Sequence, residues 1–264
     1  MSAHFDIVAP AEPGPLVVEI PHAGLVIDDA AAKFTRIPER ALQAGAVLAD
    51  SDIGADRLWD GSESLGVTRL AARASRYVVD LNTEPRVPTP YEEKLPEPLR
   101  AVRMISECGE RWLANPLPRH ERERRMREVF EPYHQAVTDA LEQARARHGT
   151  AVLLSSHTFP DRFAPGADVV IGTRHGASAD AELRDALADV VRGHELSVAL
   201  EEPFPGAYSL ARHARPAERV VAVQLELARS VVSRREERVR RLLVELVGVL
   251  IHSGTRCSSR SPVC

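Results

Sequence analysis

Ala151-Val152-Leu153-Leu154-Ser155-Ser156-His157-Thr158 decides how this chain is read. Four apolar residues end abruptly in two serines and a histidine, as a short buried strand does where it meets a polar crevice. Ahead of it, residues 121–148 form a long charged segment with Met126, Val129, Phe130, Tyr133, Val137 and Leu141 at helical spacing, and Gly149 stops it. Behind it, residues 179–192 repeat the helical pattern and close at Gly193. Helix, strand, helix is the signature of an α/β sheet, and the rest of the chain agrees. Strands are expected at 16–20 (LVVEI), 67–71, 77–81 (YVVDL), 169–172 and 220–227 (VVAVQLEL). Helices are expected at 38–48, where Pro38 and Glu39 suit a first turn, and at 233–252, with Val239, Leu242, Leu243, Leu246, Val247 and Leu250 on one face. The sheet should be parallel or mixed, with helices on both faces.

Bulk composition narrows the function classes. The 264 residues are 44% hydrophobic and 27% charged, which describes a folded chain able to bury a large core. A net charge of −4, from 34 basic and 38 acidic residues, points away from nucleic acid or an anionic membrane as partner, and 5% aromatics leaves little for base stacking. Cys108, Cys257 and Cys264 make no C-x-x-C pair, so neither a disulfide framework nor a thiolate metal site is expected. MSAHFDIVAP does not have the form of a signal peptide, and no apolar stretch reaches the roughly 18 residues of a membrane helix, so a cytoplasmic setting is expected. One domain over residues 1–254 is expected, with 255–264 a polar, fraying tail. Residues 83–98 hold five prolines and must form an extended loop, and residues 201–216 form a second irregular stretch.

In an open α/β sheet, ligands bind beyond the carboxyl ends of the strands. Those ends carry His22, Asp80 and Asn82, His157, and Glu226. A single strand-end histidine is more often structural than a ligand. Two of them with a carboxylate and an open fourth position match a hydrolytic zinc site. The nearest acidic cluster is Asp50, Asp52 and Asp56, which from the residues alone reads as a solvated loop or as a helix cap before Ile53. Glu226 shares a strand face with Val220, Ala222 and Gln224, and a carboxylate on so apolar a face is costly unless it is paired or used. Arg212 lies near Arg215 and Arg219, which by itself reads as a solvated basic loop.

Five runs then occur in order: Pro21-His22-Ala23-Gly24, Asp50-Ser51-Asp52 with Gly54-Ala55-Asp56-Arg57-Leu58, Ser75-Arg76-Tyr77-Val78-Val79-Asp80-Leu81-Asn82, Ser156-His157-Thr158-Phe159-Pro160, and Gln224-Leu225-Glu226-Leu227. Together they resemble the N-formylglutamate amidohydrolase family, and more distantly zinc carboxypeptidases and aspartoacylase-type deacylases. The resemblance spans residues 16–229, and the SRYVVDLN run is its most specific piece.

That resemblance implies an α/β fold of three layers, α/β/α, with a mixed central sheet, phosphorylase/hydrolase-like in the zinc-carboxypeptidase manner. It implies a Zn2+-dependent hydrolase that cleaves the amide of a small-molecule N-acyl amino acid, N-formylglutamate above all. His22, Asp52 and His157 would be the metal ligands, with Asp50 and Asp56 as the other choices for the carboxylate. Glu226 would be the general base, and Arg76 would act beside it in catalysis. Asn82, Arg86 and Arg212 would bind substrate, Arg being suited to a carboxylate through paired hydrogen bonds. The family often continues Asp-Leu-Asn with Arg, whereas Thr83 stands here, and Arg86 is the nearest replacement. A peptidase or cell-wall amidase of the same fold, and a binding protein that keeps the fold without the chemistry, are the alternatives.

Overall fold

A computed structural model of the chain describes residues 4–34, 50–85 and 117–256. The expected helix at 38–48, Arg86, most of the proline-rich loop, the three cysteines and most of the C-terminal tail lie outside the described residues. The elements, in chain order, are β1 (Phe5–Val8), β2 (Leu16–Ile20), α1 (Asp29–Ala32), β3 (Thr68–Ala72), α2 (Arg119–Arg125) running through a π-turn (Met126–Phe130) into α3 (Glu131–His148), β4 (Ala151–Phe159), β5 (Val169–Gly172), α4 (Ala181–Gly193), β6 (Val198–Leu200), α5 (Tyr208–His213), β7 (Val220–Ala228), α6 (Arg229–Arg234) and α7 (Glu236–Arg256). Among the described residues, no helix is long and apolar enough to cross a membrane.

The strands form one sheet in the order β1-β3-β2-β4-β7-β5-β6. β2, β4 and β7 run parallel, while β5 and its parallel neighbour β6 run against them. This is the α/β class with the mixed sheet that the sequence implies. By packing, the chain groups into two compact units. The first comprises Met1–Asp6, Pro21–Ile53 and Ala71–Ala136; the second comprises Ile7–Ile20, Gly54–Leu70 and Val137–Cys264.

In the second unit, β4 and β7 are central strands and almost every residue of both is buried, which is why each reads as a continuous apolar run. α4 starts at Asp180, whose carboxylate accepts from Leu183 N at 2.9 Å, and buries Leu183, Leu187, Ala188 and Val191 against β5 and β6. α7 buries the six apolar residues expected of it and packs on α4, β2 and β4; each such side chain contributes roughly 1.5–3 kcal/mol. α7 also packs on the turn Arg57–Trp59, where Trp59 Nε1 donates to Ser156 Oγ at 2.9 Å. Ser156 and its neighbour Leu225 point to that face of the sheet, whereas Ser155 and Gln224 point to the other. Ala207, just ahead of α5, donates to Gln224 on that other face. Helical structure therefore covers both faces.

Two strand expectations change. β4 does not stop at Leu154 but continues through Phe159, so His157 sits within the strand rather than beyond it. Backbone N–H and C=O groups pair in a ladder whatever side chain they carry, and nothing in Ser155-Ser156 forces a turn. The Tyr77–Leu81 run is no strand. Ser75 Oγ and Ser75 O accept from the amides of Tyr77 and Val78, which closes a turn, and the carbonyls of Tyr77 and Val78 are taken by Arg125 Nη1. Residues 77–82 are all buried, so no alternation of faces exists to define a strand.

Candidate functional site

In the first unit, the Pro21–Gly24 turn carries His22 out from the end of β2. The turn lies so close to Arg73 and Ala74 that a Cβ on Gly24 would come within 2.3 Å of the Ala74 carbonyl oxygen. Ladder-like bonds, Val26 N to Arg73 O and Ser75 N to Val26 O, both 2.8 Å, then tie this turn to the segment that bears Arg76 and Asp80. A third piece joins when Asp52 N donates to His22 O at 2.9 Å. Three stretches far apart in sequence thus present His22, Asp52 and Asp80 together, with relative exposures of 6%, 3% and 0%.

Asp80 organises this group. Its Oδ2 accepts from Arg76 Nη2 at 2.7 Å and Nε at 3.2 Å, and its Oδ1 accepts from Asn82 N at 3.0 Å and His22 Nε2 at 2.8 Å. A carboxylate paired with a guanidinium can only accept, so the His22 proton resides on Nε2. The other nitrogen, Nδ1, then presents its lone pair toward Asp52 Oδ2, 3.8 Å away. That distance is too long for a hydrogen bond. It suits two ligands of one cation, since groups each ~2.1 Å from a tetrahedral ion lie about 3.4 Å apart. A carboxylate behind a ligand histidine is the usual outer support of a metal site. These residues therefore fit a divalent metal. Asp50 is buried as well and accepts from the Tyr77 hydroxyl, while its carbonyl accepts from Arg76 Nη1 at 3.0 Å. Burial of Asp50 and Asp52 removes the solvated-loop reading of that run. The capping reading goes too: only the short turn Arg57–Trp59 follows, and the residue before it, Asp56, makes no side-chain cap.

In the second unit, β4 and β7 set His157 and Glu226 side by side: they are register partners on adjacent parallel strands and so project from the same face. Exposures of 3% and 7% show that Glu226 does not point into solvent. Ser155 Oγ lies 3.1 Å from His157 Nε2, and Gln224 Nε2 donates to Glu226 Oε1 at 3.0 Å. One row back, Glu19, Ser155 and Gln224 line up across β2, β4 and β7 on the same face. A polar patch of this size inside a covered sheet is a feature that packing alone would not favour.

Arg212 is half-buried on α5, its Nη1 donating to the Tyr208 hydroxyl at 2.9 Å and its guanidinium over the Tyr208 ring. Beside it, His213 is buried; that burial, with Arg212 and Arg215 near, lowers its pKa to about 3, so it is neutral. Asn82 is buried, and its backbone N–H donates to Asp80 Oδ1. The sequence does not single out Gln224 as the partner of Glu226, nor Asp80 as the partner of His22. Asp80 lies within the SRYVVDLN run that carries the family resemblance, and that run is the sequence signal that marks it.

The sequence model of the N-formylglutamate amidohydrolase family matches residues 14–233. An N-formylglutamate deformylase of Pseudomonas aeruginosa is 33% identical over 224 residues, covering 81% of this chain and 80% of that protein. One from Pseudomonas putida is 30% identical over 224 residues, covering 82% and 80%. The crystal structure of N-formylglutamate amidohydrolase from Ralstonia eutropha JMP134 superposes with a TM-score of 0.79 at 26% identity, covering 97% of this chain and 99% of that one. The chain belongs to the N-formylglutamate amidohydrolase family.

Proposed function

Starting from that membership, we propose that the protein is a zinc-dependent amidohydrolase that cleaves N-formyl-L-glutamate, or a close N-acyl amino acid, to the free acid and the amino acid. The setting of His22 carries the metal part of this reading: one ring nitrogen is held by Asp80, and the other faces Asp52 at 3.8 Å. His22, Asp52 and His157, all buried and each offering one ligand atom, would hold the ion. When bound, such an ion lowers the pKa of water and polarises a carbonyl.

The chain's own residues supply the rest. Glu226 takes a proton from the attacking water and delivers it to the leaving nitrogen as the C–N bond breaks. Arg76 pairs with Asp80 through Nη2 and Nε, and Asp80 in turn fixes the His22 tautomer. Asn82 and Arg212 are the substrate-binding residues, with Arg212 offering a cation to the substrate carboxylate, and Arg86 is a third such residue.

The test is direct. Purified protein is loaded with zinc, its metal content is measured, and formate release from N-formyl-L-glutamate is followed for wild type, His22→Ala and Glu226→Gln. The expected result is one zinc per chain, turnover by wild type, loss of zinc in His22→Ala, and retained zinc with little turnover in Glu226→Gln. A wild-type chain that takes up no divalent metal removes the metal reading, and a zinc-loaded chain that releases no formate removes the substrate reading.

A further inference from the structure

Gln224 stands two residues before Glu226 on β7 and projects from the same face. We infer that Gln224 is a positioning residue for Glu226, aimed by the segment that runs from Glu201 to Ala207. The inference rests on Glu226 being the general base.

Hydrogen-bond polarity fixes the Gln224 amide. A backbone N–H can only donate, so the end of the amide that faces Ala207 N at 3.2 Å is Oε1. The NH2 end is then committed to Glu226 Oε1 at 3.0 Å. An NH2 group donates, so that carboxylate oxygen must accept. The result is a carboxylate held at one oxygen in a defined orientation. Turning the amide over would break both bonds, setting two donors against each other at Ala207 and two acceptors at Glu226.

The segment that aims the amide is itself fastened at several points. Glu201 takes a positive φ of 65° and its N–H donates to Ile171 O at 2.9 Å. Its carboxylate accepts from Thr173 Oγ1 at 2.5 Å, Thr173 N at 3.1 Å and His175 N at 3.0 Å. Burial would raise the Glu201 carboxyl, but these bonds outweigh it and hold the group below the ordinary carboxylate range. In the middle, Arg174 N donates to Pro205 O at 2.5 Å. Phe204 O runs so close to β5 that a Cβ on Gly172 would lie 2.4 Å from it. Gly172 is also the register partner of Gln224 across β5 and β7, so no side chain from that position crowds the amide. At its far end the segment leads into α5, which bears Arg212. The substrate-binding cation and the orientation of the base therefore depend on one fixed piece of backbone.

The test is a kinetic cycle on the zinc-loaded protein with N-formyl-L-glutamate. Gln224→Glu keeps the shape and the acceptor for Ala207 N but sets an acceptor against Glu226. Gln224→Met keeps the length and removes both bonds. For each, kcat should fall about tenfold to a hundredfold, the scale of one hydrogen bond to a charged group, while KM stays within about twofold and bound zinc is unchanged. In the Glu226→Gln background, adding Gln224→Met should cost nothing more, because the group it positions is gone. Wild-type kcat in both single variants overturns the inference, as does an equal further loss in the Glu226→Gln background, which marks a merely structural role. The separate reading of Glu226 as base fails if Glu226→Gln alone turns over at the wild-type rate. Should Gln224→Met fold poorly, the near-isosteric Gln224→Glu still decides the matter.

Discussion

Asp80→Asn is the most informative single change in the first unit. Asp80 is fully buried and its two oxygens receive four donors: His22 Nε2, Asn82 N, and Arg76 Nε and Nη2. An asparagine offers one oxygen and one NH2. If the oxygen stays with Arg76, the NH2 meets the His22 and Asn82 donors; if it stays with those, the NH2 meets the guanidinium. Either way two donors lose their acceptor and Arg76 loses a carboxylate, although it keeps its bond to Asp50 O. Breaking a buried ion pair by removing one partner costs about 3–5 kcal/mol, and the surviving bond puts this case near ~3. A second effect follows if His22 is a ligand. Loss of a carboxylate behind a ligand histidine weakens metal binding about tenfold to a hundredfold. Urea unfolding followed by circular dichroism measures the first effect, and competition with a chromophoric chelator measures the second. A wild-type unfolding midpoint would refute the ion-pair argument. A lowered midpoint with undiminished zinc affinity would leave Asp80 structural and remove the argument that Nδ1 of His22 meets a metal.

Two further outcomes are expected. His213, neutral with its pKa at about 3 against an ordinary 6.5, has no effect on the pH dependence of stability above 6.5. As pH falls below that value the unfolded chain binds a proton that the folded chain refuses, and stability drops by about 1.4 kcal/mol per pH unit until the folded pKa is reached. His213→Gln should flatten the stability profile between pH 6 and pH 4 by about that slope, read from urea midpoints, and an unchanged slope would mean that His213 is already charged when folded. Gly172→Ala puts a methyl into backbone atoms of Phe204 and Pro205 that cannot swing aside, and should destabilise by about 1–3 kcal/mol; a wild-type unfolding midpoint would show that the Glu201–Ala207 segment is not held as described.

The long helices were legible from their helical repeat and β2, β4, β5 and β7 from short apolar runs, whereas the short strands β1 and β6 gave no such signal. Val239 through Leu250 is the plainest case, since every apolar residue expected on that face of α7 is buried. Tyr77–Leu81 was not legible, because its β-branched residues are buried for a reason no periodicity records: Arg125, also buried, takes the carbonyls that a strand would have offered to a neighbour. Burial of Arg125 against Glu121 (2.8 Å) connects α2 to a turn more than forty residues earlier, and no local pattern marks such a pair. The site divides along the same line. His22, His157 and Glu226 lie at or near strand ends and could be picked out by position. Asp52 needed the ordered motifs, since by composition its run is an ordinary polar loop. The bonds of Asp80 to His22 and of Gln224 to Glu226 are visible only once distances are known.

Register is what sets His157 beside Glu226 in the second unit. Val152, Leu153 and Leu154 of β4 lie beside Val221, Ala222 and Val223 of β7, and every one but Val221 is fully buried or nearly so. A slip of one residue would turn His157 toward the Trp59 face and expose the apolar set to the wrong layer, at a cost summed over the whole strand. A slip of two would keep the faces but separate His157 from Glu226 by about 7 Å, two residues of strand rise. The apolar half of each strand therefore decides whether His157 and Glu226 stand side by side. Ser155 and Gln224 are the first residues past that apolar half, and each touches the side chain two positions on, His157 and Glu226 respectively. The order along β4 and β7 is thus an apolar packing segment, then the polar pair Ser155 and Gln224, then His157 and Glu226.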